Sequence, residues 1–257
     1  MKRTNLLLKL TAVAVFGALA CGSAQAKVFK ADTTVTVGGR MNVGDNSKAS
    51  GIANRTFLMA THQVFADWGQ VFFRGRLENP FGLKDTAWEG KDAPLNYQTF
   101  GDLYLNLGKS NFQFWLDESS FSNTAIHEMS LLAGVAYKMQ FGKLNVKVGS
   151  GVAYAFGHVP YTPAYHGPGF IGTRVNFVYP INKKFLAFGM MDSRWDRDEQ
   201  YTSTYGWIED DGHHLILGGK YNYNQNVSLS VSYHNFMDFG GYDRDGQTYD
   251  VALTYKF

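Results

Sequence analysis

The chain has 257 residues, enough for two average domains or one large all-β unit. Its mean hydropathy of −0.23 and hydrophobic fraction of 45% exclude a bundle of long apolar membrane helices, but not a barrel whose strands alternate. Aromatic residues reach 16%, glycines outnumber prolines 28 to 6, and only 18% of residues are charged, all of which lean toward such a barrel.

Residues 1–26 read as a secretory signal peptide. Lys2 and Arg3 form its positive start, Leu6 to Ala20 its apolar stretch, and Ala24-Gln25-Ala26 its cleavage site. Ala18-Leu19-Ala20-Cys21 matches a lipoprotein signal only in part. Cleavage removes Lys2, Arg3 and Lys9 from the 24 basic residues, so 21 remain against 22 acidic ones and the net charge is −1. No polyanion-binding field follows, and nucleic acid is not an expected partner. Cys21 leaves with the signal, so the exported chain 27–257 has no disulfide and needs another source of stability, such as a closed sheet.

From residue 34 onward the apolar pattern has a period of two. Val35, Val37 and Met41 alternate with Thr34, Thr36 and Arg40. Segment 54–66 is a strand of unsettled phase. In 70–79, Val71, Phe73, Gly75 and Leu77 oppose Arg74, Arg76 and Glu78. Leu103, Leu105 and Leu107 alternate with Asp102, Tyr104 and Asn106, and Phe112, Phe114 and Leu116 with Gln113, Trp115 and Asp117. Further strands are expected at 128–139, at 144–154 with Lys147 on the polar face, at 169–179 with Arg174 there, and at 185–194, again of unsettled phase. Leu215, Leu217, Gly219 and Tyr221 oppose His214, Gly218, Lys220 and Asn222, with Ile216 the exception. Val227 to His234 alternates with serines, and Tyr249 to Phe257 with Asp250, Ala252, Thr254 and Lys256.

That makes twelve strands. Short connections at 67–69, 108–110, 140–143, 180–184 and 224–226 alternate with long ones at 44–53, 80–97, 118–127, 155–168, 195–211 and 235–246. Short periplasmic turns and long external loops are the pattern of a transmembrane antiparallel up-and-down β-barrel in a Gram-negative outer membrane. A soluble sandwich or lipocalin-like barrel would alternate equally well. Aromatics at strand ends (Phe65, Trp68, Tyr179, Tyr221, Tyr223, Tyr255, Phe257) favour the membrane, as interfacial girdles do.

The terminal segment Thr248 to Phe257 resembles the C-terminal signal of outer-membrane barrels. That resemblance implies lipid and lipopolysaccharide as surroundings and the barrel-assembly machinery as a partner during insertion. The turn Phe65-Ala66-Asp67-Trp68-Gly69, the stretch Thr173 to Pro180, the segment His214 to Gly241 and the ending Val251 to Phe257 resemble the Tsx/OmpK family of nucleoside-specific channels. The family turn carries an aromatic directly before the Asp, where this chain has Ala66. The resemblance implies passive diffusion of nucleosides or similar small polar solutes, with no cofactor.

A charge facing lipid costs about 2–4 kcal/mol at the midplane for Arg or Lys, so the alternation turns the charged set inward. The expected lumen residues are Arg40, Arg74, Arg76, Glu78, Asp102, Tyr104, Trp115, Asp117, Lys147, Arg174, Lys220 and His234, with Asp250 beside them. Tyr104 and Trp115 would stack a base while the arginines bond its polar edge. Salt-bridged filling of a closed barrel is the competing reading of the same charges. A barrel hydrolase is a rival class. His127-Glu128-Met129-Ser130 and His234-Asn235 do not resemble a barrel lipase signature, whereas Asp210-Asp211-Gly212-His213-His214 has the residue types of a rim protease. Asp243-Arg244-Asp245-Gly246 lacks the closing Glu of a calcium loop, and Gly149-Ser150-Gly151 lacks the third glycine of a phosphate loop, so no metal is expected. A third class is a surface receptor for phage, colicin or host. Its contacts would lie in loop 155–168, with Tyr161 and Tyr165, and loop 195–211, with Trp195, Tyr201, Tyr205 and Trp207.

Overall fold

A computed structural model describes residues 26–43, 54–80, 95–123, 126–159, 162–206, 209–239 and 245–257. The expected signal segment up to residue 25 lies outside them, as do Tyr161, Trp207 and residues 240–244.

Twelve strands close into one antiparallel barrel, each bonded to its chain neighbours and the first to the last. They are β1 (Val28–Val43), β2 (Arg55–Ala66), β3 (Gly69–Glu78), β4 (Asn96–Asn106), β5 (Phe112–Ser122) and β6 (His127–Phe141). The second half is β7 (Leu144–His158), β8 (Tyr165–Pro180), β9 (Phe185–Trp195), β10 (Gly212–Asn222), β11 (Val227–Met237) and β12 (Gly246–Lys256). Closure comes from β1 against β12, with Thr34 opposite Lys256 and Val43 opposite Gln247. A closed sheet leaves no strand edge, which supplies the stability that disulfides would otherwise give.

The alternation decides which face meets lipid. Val35, Val37, Val152, Leu217, Leu229, Val231 and Leu253 are all exposed, while their neighbours Thr36, Arg40, Ala153, Ser228 and Ala252 are buried. Arg40 on β1 reaches Glu78 on β3, and Arg174 on β8 reaches Asp102 on β4. Such bonds between strands that are not neighbours can only cross the barrel interior. Tyr179, Phe185, Tyr255 and Phe257 stand exposed at the rim of short turns, and Tyr97, Tyr154, Trp195 and Tyr249 toward the rim of long loops. These are two interfacial girdles around an apolar band. Phe65 differs from expectation. It shares the inner face of Gln63, which bonds Asp32, and lies under the Lys30 ammonium.

The two unsettled phases are resolved. On β2, Arg55, Phe57 and Thr61 turn inward, where Arg76 covers the Phe57 ring and Thr61 bonds Thr34. On β9, Met190, Asp192 and Arg194 turn inward. The long connections at 118–127 and 155–168 are shorter than expected, because β5 to β8 continue pairing to Ser122–His127 and His127–His158. Ser119 bonds Ser130 across that extension. A bulge sits where Ala153 pairs Phe170 and Tyr154 pairs Pro168. Pro168 has no N–H for the ladder, and a bulge accommodates it.

One helix was not expected: α1 (Glu199–Tyr205), inside the connection between β9 and β10. Asp198 caps it by accepting from the Gln200 and Tyr201 N–H groups, and Gly206 at φ 73° ends it in the left-handed region.

Candidate functional site

Two ion clusters and a helix-capped plug fill much of the barrel. In the first, Glu78 is fully buried and accepts from Arg55 at 2.6 Å, with Arg76 at 3.2 Å and Arg40 at 3.5 Å. Asp250 accepts from Arg40 at 2.8 and 3.0 Å and from Arg76 at 3.3 Å, and His234 lies 3.6 Å away. Five strands thereby converge on two carboxylates. The His234 ring also bonds His214 at 3.1 Å and Ser232 at 3.0 Å, and His214 stacks on Phe236.

In the second cluster, Arg174 donates to Asp102 at 3.0 Å, Asp117 at 2.8 Å and Asp192 at 2.8 Å. Asp102 also accepts the Trp115 indole N–H at 2.8 Å. Trp115 is 1% exposed and stacks on Tyr104 with the planes 5° apart. The Lys147 ammonium sits 3.3 Å from the Tyr104 ring centre and donates to Gln70. Gly149 makes room for the indole, since a Cβ there would lie 2.7 Å from it. Leu132, Ala136, Ala153, Ala155 and Phe170 complete this packed half.

The plug is α1. Its Tyr201 is fully buried and donates to Glu128 at 2.5 Å, which also accepts from Arg194 at 2.7 Å. Burial pushes the Tyr201 hydroxyl well above its ordinary value, Glu128 adding to the shift and Arg194 opposing it. Arg197 fastens the same connection by donating to the Asp238 carboxylate at 2.8 Å and to its carbonyl. The Asp198 N–H bonds the carbonyl of Gly169 at the bulge.

A cavity of about 150 Å³ remains beside the packed half. Of the residues expected in the lumen, Arg40, Arg74, Arg76 and His234 line it. Glu78, Asp102, Asp117, Arg174 and Asp250 face inward but are bound up in the two clusters. Tyr104 and Trp115 face inward but belong to the packed half, their rings covered by each other, by Lys147 and by Gly149. Lys220 lies apart, toward the short-turn rim near Lys30, Lys256 and Asp32. The aromatic surfaces that do meet the cavity are Phe100, Phe121, His214, Phe236 and Phe239. His214 lies on the polar face expected for it, whereas sequence reasoning missed the four phenylalanines, because an inward Phe lies outside the rule that assigns polar residues to the lumen.

The rim residues considered for other functions are dispersed. His213 packs against Trp195 on the outer face, while its neighbour His214 turns inward, so the pair does not form one site. Tyr165 and Tyr201 are buried against each other and Tyr205 packs on them, so these three rings are not offered to a contacting surface.

No protein-family model matches this chain, and no curated protein matches it. Solved structures do. The NanC porin in a rhombohedral crystal form superposes with a TM-score of 0.57 at 10% identity, over 87% of this chain and 100% of its own. The KdgM porin gives 0.51 at 11% identity, over 87% and 99%. An outer membrane channel from Pseudomonas putida F1 gives 0.52 at 10% identity, over 91% and 99%. Likeness at such low identity is a likeness of fold: this chain has the closed barrel architecture found in outer membrane porins and channels.

Proposed function

We propose that the protein is a passive outer-membrane channel for small polar solutes, with nucleosides the solutes indicated by the resemblance of its turns and terminal strand. The observation that carries this reading is the cavity within a closed barrel, lined on one side by Arg40, Arg74 and Arg76 and on the other by Met190 and Ile216, with Phe100, Phe121 and Phe236 between. A solute with a flat ring and a polar edge meets both kinds of surface there. Eight strands leave a filled interior and sixteen an open channel. Twelve fit a barrel in which Trp115 and Arg174 pack one half and a cavity remains beside them. The fold likeness to porins supports the same reading. Outer-membrane lipid and lipopolysaccharide are the proposed surroundings, and the barrel-assembly machinery the proposed partner in insertion. The sequence carries no nucleotide-hydrolysing motif, so transport runs downhill. Weak binding suits release: stacking contributes about 1–3 kcal/mol per base. The test is ion current through the purified barrel in planar bilayers, with adenosine expected to reduce it at millimolar concentration. Unchanged current at every adenosine concentration would remove nucleosides from the proposal.

A further inference from the structure

Arg74 differs from the other arginines of the barrel. Arg40, Arg55 and Arg76 are held by Glu78 and Asp250, Arg174 by three aspartates, and Arg194 by Glu128. Among the described residues Arg74 has neither an ion pair nor a hydrogen bond. Its guanidinium lies 4.9 Å from the centre of the Phe100 ring and borders the cavity. Arg74 is half-buried at the cavity wall, and a guanidinium there with no counter-charge is less well satisfied than one held in an ion pair. Its N–H groups form a planar fork that matches a carboxylate or phosphate and has no acceptor function.

The surroundings select further. The cavity wall carries Arg40, Arg74, Arg76 and Arg194 against Glu128 and Asp192, and both acids already serve an arginine. Arg40 and Arg76 are balanced by Glu78 and Asp250 and Arg194 by Glu128, which leaves Arg74 as the wall's unpaired cation among the described residues. An anion finds one arginine whose donors are unused. Phe121, Phe236 and the His214 imidazole stacked on it give the same cavity flat apolar surface. Its volume of about 150 Å³ is of the size that accepts a benzene ring in an apolar cavity.

We propose that this cavity binds a small aromatic anion, its carboxylate or phosphate on Arg74 and its ring among Phe121, Phe236 and His214. The inference rests on the cavity of the proposed channel, and it names the charge and shape of the solute that the cavity prefers.

Calorimetry on the folded barrel in detergent tests it without reference to conduction, using benzoate, phenyl phosphate, neutral benzyl alcohol and ringless acetate. Benzoate or phenyl phosphate is expected to bind at least about tenfold more tightly than benzyl alcohol or acetate, and their order separates the carboxylate from the phosphate source. In Arg74→Gln that advantage is expected to vanish, while the heat-modifiable band on gels shows the barrel still folded. Arg74→Lys keeps the charge without the fork and is expected to recover part of it. Equal binding of benzoate and benzyl alcohol, or an advantage untouched by Arg74→Gln, overturns the inference. Bilayer currents recorded alongside separate it from the channel proposal. Benzoate binding by a barrel that passes no current leaves this inference standing and removes the channel. Current through a barrel that shows no benzoate advantage in calorimetry does the reverse.

Discussion

At the residue scale, Arg174 is the hub of the packed half. It reaches Asp102 and Asp117 across the barrel interior and Asp192 beside it on the neighbouring strand β9. Removing it leaves three carboxylates close together without the ion-pair partner they share. Arg174→Gln is therefore expected to cost about 3–5 kcal/mol of stability, measured by urea unfolding in lipid vesicles. Arg174→Lys, which keeps the charge, should lose less, and an equal loss in both variants would argue against that origin. Trp115→Ala is expected to cost a similar amount, from the cavity it leaves against Gly149 and the bond withdrawn from Asp102. Alternation marks such residues in the sequence when they are charged, because a charge on the lipid face is so unfavourable. It is silent about Phe57, Phe100 and Phe236, whose rings turn inward beneath or beside arginines. Nor does it tell Arg74, which has no ion pair among the described residues, from Arg76, which has two.

At the scale of elements, strand number and most of the alternation of short and long connections were legible, because each rests on many residues; the exception is the connection 123–126 between β5 and β6, which is no longer than the short turn 107–111. The phases of β2 and β9 were not. Both faces of β9 carry apolar side chains, with Met190 inside and Met191 exposed, so hydropathy offers no contrast. The upper ends of β5 to β8 were also hidden. They pass beyond the apolar band, where serines, glycines and Pro168 replace the alternating pattern. Helix α1 left its capping pair Asp198 and Gly206 in the sequence, but seven residues are too few for a helical period. Its latch makes a prediction. Arg197→Ala frees the connection from Asp238, so limited proteolysis between Asp196 and Asp211 should accelerate several-fold while the barrel stays intact. The Tyr201 latch should respond to pH as well. A hydroxyl whose docked value is raised leaves docking unaffected below the undocked value of about 10 and weakens it as the pH rises through that value. Cleavage should then increase above about pH 10 in the native protein, and Tyr201→Phe should abolish that increase.

At the scale of the whole molecule, the closed twelve-stranded barrel fixes which connections share a rim. Ser203 on α1 is exposed on the long-loop side, and Ser110 and Gln225 are exposed in short turns. Cysteine at Ser203 should react with an impermeant thiol reagent on intact cells, and cysteine at Ser110 or Gln225 should not. Labelling of the short turns instead would invert the barrel. The central claim is that the half left free of Trp115 and Arg174 is a path for solutes. It is tested most directly by single-channel recording of the folded protein in planar bilayers. Discrete current steps that scale linearly with voltage are expected, with anions favoured over cations and that preference reduced in Arg74→Gln. A heat-modifiable, correctly folded barrel that inserts and passes no current at any voltage would contradict the claim.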